Sequence, residues 1–161
     1  MLIREATSSD VEAIWNIFHQ IVAEGDTYAY APDTSKEDGI HYWCDIPEVT
    51  FVVEDIGIIV GTYYLKPNQP GLGSHVCNCG YMVTKEARGK GLATMMCEHS
   101  QVEAIKRGYI AMQFNLVVSS NEDAIRLWRK LGYHIVGEIP KGFRHMKIGL
   151  ISAFVMYKVL Q

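Results

Sequence analysis

Six residues, Arg88-Gly89-Lys90-Gly91-Leu92-Ala93, join two segments of different periodicity. Val76 to Val83 reads as an apolar strand, and a helical pattern follows to about Arg107. A chain that leaves a strand, turns through two glycines and enters a helix puts the helix N-terminus at the strand's C-terminal end. The first N–H groups there lack internal acceptors, and the helix dipole adds partial positive charge. Gly89 and Gly91 let a pyrophosphate approach the backbone, and Arg88 and Lys90 add charge. The implied ligand is a phosphate ester.

Two common phosphate loops do not fit. A P-loop needs glycine where Thr84 stands and a hydroxyl residue where Gly91 stands. A dinucleotide fingerprint needs its third glycine at Thr94. The stretch does fit Arg/Gln-x-x-Gly-x-Gly/Ala, which resembles the acetyl-CoA loop of the GNAT N-acetyltransferase superfamily. A second block, Asn121 to Tyr133, resembles that superfamily's Asn-x-x-Ala-x-x-Leu-Tyr-x-x-x-Gly-Phe segment. It also has its own physical sense. Asn121 can cap a helix with Glu122 and Asp123 in its first turn, Ala124, Leu127, Trp128 and Leu131 make an apolar face, and Gly132 ends it. The resemblance runs from Ile3-Arg4-Glu5-Ala6 to Met156-Tyr157-Lys158. It implies an α/β (α+β) acyl-CoA N-acyltransferase fold, a mixed and mostly antiparallel sheet flanked by helices. It also implies acetyl-CoA as cosubstrate, no metal, and contacts to CoA from Met82, Val83, the 88–93 loop, Asn121 and Trp128.

Composition is consistent with this. The 161 residues are expected to form one domain, 1–161, with a sizeable core. A net charge of −3 gives no reason to expect nucleic acid or an anionic membrane as partner. No long apolar run and no signal-peptide pattern stand out, and four cysteines are too few for a disulfide scaffold. A cytoplasmic protein with free thiols is the expectation.

The chain alternates strand and helix patterns. Strands are expected at Leu2–Ala6, 50–54, 58–65, 76–83, 112–118, 133–138 and 151–159. Ser9-x-x-Glu12 reads as a capping box before a stripe of Val11, Ile14, Trp15, Phe18, Ile21 and Val22. Ser35 to Cys44 reads as a second helix weakened by Gly39, and Asp55-Ile56-Gly57 as a hairpin turn.

His75-x-Cys77-x-Cys79 resembles a metal site only in composition. Alternate residues of a strand lie nearly 7 Å apart, too far for one zinc to take all three at about 2.0–2.3 Å. Buried cysteines packing against a helix are the better reading. Asn78 lies on the opposite strand face from them, and Asn115 interrupts Met112 to Val118. Asparagine disfavours strands, so the two suggest a polar slot; a bulge or a satisfied structural amide is the plainer alternative.

Asn78-Cys79-Gly80-Tyr81-Met82-Val83, Phe114-Asn115-Leu116-Val117 and Asn121 with Trp128 resemble the fungal L-azetidine-2-carboxylate (proline-analogue) N-acetyltransferases. That resemblance assigns the acceptor site to Asn78, Asn115 and Leu116. The aromatic segment Gly25 to Thr34 resembles the substrate loop of amino-acid acetyltransferases and adds Tyr28 and Tyr30, which otherwise pack on the first helix. Trp128 replaces the tyrosine that serves many GNAT enzymes as general acid, and an indole N–H is no useful acid.

The implied reaction is direct attack of an amine on the thioester, with Asn78 orienting the amine and a backbone N–H near Met82 or Val83 receiving the thioester oxygen. The expected acceptor is a small amino or imino acid. A protein N-acetyltransferase and a non-catalytic acyl-CoA-binding module are the alternatives. The resemblance also implies a homodimer through the C-terminal strands, with Ile148, Leu150, Ile151, Phe154 and Val155 supplying apolar surface.

Overall fold

Residues 1–161 are described by a computed structural model. Seven strands, β1 (Leu2–Glu5), β2 (Val49–Asp55), β3 (Ile58–Pro67), β4 (Val76–Val83), β5 (Ala111–Val118), β6 (His134–His145) and β7 (Gly149–Val159), form one sheet in the order β1-β2-β3-β4-β5-β7-β6. All neighbours are antiparallel except β4 and β5. Helices α1 (Val11–Glu24), α2 (Lys36–Ile40), α3 (Leu92–Lys106) and α4 (Glu122–Lys130) flank it. The mixed, mostly antiparallel sheet implied by the sequence is the fold observed. No helix is long and apolar enough to cross a membrane.

Alternation along the strands divides the core. Phe51, Val53, Tyr63, Leu65, Cys77 and Cys79 face α3, while Val52, Tyr64 and Met82 face α1, whose Ile14, Phe18, Ile21 and Val22 are buried against them. The cysteines are therefore core residues, and burial pushes the Cys77 thiol up to about 12.

Four local expectations need correction. The capping box is Thr7 with Asp10, not Ser9 with Glu12: the Asp10 carboxylate accepts from the Thr7 N–H at 2.8 Å, and a 3-10 turn over Ser8–Asp10 precedes α1. The second helix is regular only over Lys36–Ile40 and then widens into a π-turn, His41–Asp45. That turn carries Trp43 into the core, where its indole N–H donates to the Thr62 hydroxyl at 3.1 Å. Gly39, read as a weak point, is a close contact: a Cβ there would meet the Trp15 ring at 2.6 Å. The sixth strand extends to His145, past Pro140 and through an irregularity between Ile139 and Phe143 that hides it from sequence periodicity.

The feature that matters for function is the junction of β4 and β5. They pair only over Val76–Asn78 with Ala111–Gln113, then part. From Cys79 to Val83, β4 keeps its partner on one side alone, β3. The opposite edge opens into a cleft.

Candidate active site

That cleft is a single cavity of about 960 Å3 running from the start of α3 to the ends of β3 and β5. Its character changes along its length.

At one end is the glycine turn. Gly89 and Gly91 have φ of 76° and 79°, a left-handed conformation that favours glycine. A Cβ built on either meets nothing within 4 Å, so open space lies where a phosphate would approach. Gly91 precedes α3, and the first N–H of the helix to find a backbone acceptor here is that of Met95, to the Gly91 carbonyl. The N–H groups of Leu92, Ala93 and Thr94 are the helix's unpaired donors. Arg88 and Gly91 to Thr94 line the cavity; Lys90 does not. Glu24 braces the turn through Lys85 at 2.7 Å and Arg88 at 3.6 Å. Hydrogen bonding from Lys85 holds its carboxyl below the usual range.

In the middle is the open edge of β4. Hydrogen-bonded pairing with β3 recurs every second residue, as in Thr84 N–H to Val60 O at 2.9 Å and Asn68 N–H to Val76 O at 2.8 Å. By this alternation the backbone of Met82 points at Thr62 on β3, and those of Tyr81 and Val83 point into the cleft. Met82, expected as a possible donor, is therefore turned away, and its side chain is buried beneath α1. Val83 keeps a free edge. The backbone of Tyr81 is already engaged: the Tyr28 hydroxyl accepts from its N–H at 3.0 Å and donates to its C=O at 2.7 Å. Neither residue was linked to the other in the sequence, where Tyr81 read only as part of a strand. Trp128 walls this region, with its ring 5.2 Å from that of Tyr81 and 5.1 Å from that of Phe114. Asn121, which lines the cavity, caps α4 through its side-chain oxygen, which accepts from the Ala124 N–H at 3.3 Å.

At the far end the lining turns polar. Asn78 is 6% exposed, and its side chain is tied at both ends: the oxygen accepts from the Tyr64 hydroxyl at 2.9 Å and the nitrogen donates to the Gln113 carbonyl at 3.0 Å. Each amide atom retains one further bonding direction. Tyr64 packs against Gly80, where a Cβ would meet its ring at 2.7 Å. Asn115 is brought out by a β-bulge, since the pairing of β5 with β7 shifts between Phe114 and Val117. It is exposed, donating to the Asn68 side chain at 2.7 Å and accepting from that of Gln113 at 2.9 Å. Asn78 and Asn115 do not touch; Gln113 connects them. Leu116 lines the same end but packs toward Val118, Phe143 and Ala153. Tyr30 stacks on Tyr42 and Tyr28 and lies against Phe18, so the aromatic loop both packs on α1 and lines the cavity.

Tyr64, Lys66 and Asp26 line the cavity without having been singled out in the sequence. Lys66 was readable as a charge on an otherwise apolar strand, on the same face as Tyr64. Asp26 was not, because its interest lies in a buried Oδ1 without a hydrogen-bond partner. None of the six histidines lines the cavity.

Comparison with known proteins bears on this arrangement. The acetyltransferase (GNAT) family profile matches residues 13–133. The chain belongs to the GNAT acetyltransferase family. A segment of 86 residues, 53% of this chain, is 37% identical to the N-acetyltransferase aca1 of Schizosaccharomyces pombe. It spans 41% of that protein's length. A GCN5-related N-acetyltransferase from Kribbella flavida superposes with a TM-score of 0.92 at 35% identity, over 98% of this chain and 96% of that one. A GNAT superfamily phosphinothricin acetyltransferase from Sinorhizobium meliloti, solved with acetyl-CoA, shares the fold at 18% identity and a TM-score of 0.85, over 98% and 87% of the two chains.

Proposed function

We propose that this GNAT chain transfers the acetyl group of acetyl-CoA to the nitrogen of a small amino or imino acid, of the L-azetidine-2-carboxylate kind. The observation that carries this reading is the continuity of one cavity from the glycine turn, along the free edge of β4, to the polar end at Asn78.

The open space over Gly89 and Gly91 fits a pyrophosphate, received by the first N–H groups of α3 and by Arg88. An extended pantetheine arm entering from there meets Val83 first and pairs with its N–H and C=O as a strand would. The thioester, at the far end of the arm, lies one step of two residues further, at Tyr81. Its oxygen takes the Tyr81 N–H in place of the Tyr28 hydroxyl. This revises the expectation of a donor at Met82 or Val83 by one alternation of the strand.

The amine enters from the Tyr64–Asn78 end, oriented by the remaining bonding directions of the Asn78 amide. It attacks the carbonyl carbon, the C–N bond forms, and the negative charge moves onto oxygen at the Tyr81 N–H. Collapse breaks the C–S bond and releases the CoA thiolate. The proton lost by the amine balances the one the thiolate gains. Burial holds Tyr64 protonated, and amides accept no proton in water. Asp26 is the cavity carboxylate without a cation partner, since Glu24 pairs with Lys85 and Asp123 with Arg126. It takes the proton by way of water. Trp128 closes the wall and supplies no acid.

A homodimer through β6 and β7 belongs to the same reading, because Ile148 and Leu150 remain exposed on that hairpin. A dimer mass by light scattering at micromolar concentration is expected.

The test is thiol release from acetyl-CoA by the purified protein with a panel of amines: L-azetidine-2-carboxylate, proline, primary amino acids, and amines without a carboxylate. Saturable release with the cyclic imino acids, and an acetylated product by mass, is expected. Binding of acetyl-CoA with no release across the panel would favour a binding module instead. Acetylation confined to peptides would favour a protein acetyltransferase.

A further inference from the structure

Two cations line the cavity, Arg88 at the glycine turn and Lys66 at the opposite end. Arg88 has Glu24 beside it. Lys66 forms no ion pair: of the cavity acids, Glu24 pairs with Lys85 and Arg88 and Asp123 with Arg126, while Asp26 joins no ion pair. Its ammonium instead stands 5.2 Å from the centre of the Tyr64 ring. Lys66 is half-buried, and the loss of water pushes its pKa down from the ordinary lysine range. A half-buried cation resting on an aromatic face retains unsatisfied donors.

Its neighbours fix where those donors point in the reaction path. Lys66 is the direct cross-strand partner of Asn78, so the two side chains rise from the same face of the sheet. Tyr64, which supports the ammonium, also hydrogen-bonds Asn78. From Asn78 to the proposed thioester donor at Tyr81 is three residues of strand, roughly 10 Å. That span holds a small acceptor with its amine toward Tyr81 and an anionic group toward Lys66.

We infer that Lys66 receives the carboxylate of the acceptor, so that the site selects amino and imino acids over amines that lack a carboxylate. This rests on the acetyl-transfer reading given above. The carboxylate contact exists equally before and during attack, so it sets acceptor affinity and leaves the chemical step alone. Lys66 is a specificity residue; it takes no part in the bond changes.

The experiment measures acceptor kinetics for L-azetidine-2-carboxylate and for azetidine, the same ring without its carboxylate. The proteins are wild type, Lys66→Met and Lys66→Arg. Lys66→Met keeps the length and apolar stem and removes the charge. It is expected to raise KM for L-azetidine-2-carboxylate about 10-fold or more with little change in kcat, as loss of a charge-assisted contact does. KM for acetyl-CoA should stay put, which also reports a folded cofactor site, and Lys66→Arg should recover most of the acceptor affinity. An unchanged KM in Lys66→Met overturns the assignment. So does an equal rise for both acceptors, which marks a structural role. Wild-type enzyme that takes azetidine and refuses L-azetidine-2-carboxylate also overturns it while acetyl transfer stands. If wild type takes neither acceptor, the proposed acceptor class falls and Lys66 with it.

Discussion

The Tyr28 hydroxyl holds both backbone groups of Tyr81, accepting from its N–H at 3.0 Å and donating to its C=O at 2.7 Å. One side chain from the loop after α1 thus stands in for a missing neighbouring strand at the point where β4 parts from β5. If the thioester oxygen takes the same N–H, the hydroxyl must yield it. Tyr28→Phe removes that competitor, and acetyl-CoA should bind more tightly by about 5-fold, the worth of roughly one hydrogen bond of about 1 kcal/mol. The free protein should lose about 1–3 kcal/mol, because two polar groups lose their partner. Calorimetric titration and urea unfolding read the two effects. Weaker acetyl-CoA binding in a folded Tyr28→Phe protein would place the thioester elsewhere.

Gly91 tests the pyrophosphate turn. Valine there adds bulk in the open space above the turn, and it also adds left-handed strain of about 1–2 kcal/mol. Gly57 supplies a matched control: its φ is 75°, a Cβ there also meets nothing, and it lies in the β2–β3 turn. Gly57→Val should cost similar stability and leave acetyl-CoA affinity intact. Gly91→Val should abolish measurable binding. Equal affinities in the two variants would remove the turn from the site.

Asn78 and Asn115 should separate kinetically. Asn78 is buried and tied to Tyr64 and Gln113, so Asn78→Ala disturbs the position of the amine and should lower kcat by about 10²-fold. Asn115 is exposed on a bulge, so Asn115→Ala should mainly raise acceptor KM, a few-fold. Steady-state kinetics with L-azetidine-2-carboxylate decide it. A wild-type kcat in folded Asn78→Ala would leave Asn78 as a structural amide only.

Asp10 sets part of the acid limb of stability. Its carboxylate accepts from Arg4 at 2.7 and 2.9 Å, and this pair, with the Thr7 N–H, holds its pKa at about 2 from an ordinary 3.8. A depressed carboxyl pKa stabilises the fold above the unfolded value. That contribution, about 2 kcal/mol, is lost as pH falls from about 4 toward 2. Asp10→Asn should therefore be less stable at pH 7 and show a flatter stability curve below pH 4. Parallel curves for the two proteins in urea unfolding would contradict this.

Much of the cofactor side was legible in the sequence, because it depends on short-range pattern. The limits of β4 at Val76 and Val83, the turn at Gly89 and Gly91 and the cap at Asn121 are local matters of periodicity, backbone conformation and capping. The acceptor side was legible only in part. Asn78 and Asn115 stood out as amides in strands, but their partners Tyr64, Gln113 and Asn68 come from β3, β5 and the loop after β3. The engagement of Tyr81 by Tyr28 spans 53 residues, and no pattern within β4 announces it. Lys66 acquires meaning only from what is missing around it in three dimensions. The length of β6 was obscured for a different reason: Lys141 adopts φ of 55° beside an irregular pairing, so alternation breaks while the strand continues.

The most direct test is a crystal structure of the protein with CoA and L-azetidine-2-carboxylate together. The account predicts the pyrophosphate on the N–H groups of Leu92 to Thr94 and the pantetheine arm paired with Val83. It predicts the sulfur beside Tyr81, and the acceptor nitrogen near Asn78 with its carboxylate on Lys66. An acceptor bound outside the β4–β5 cleft, or CoA lying away from the free edge of β4, would contradict it.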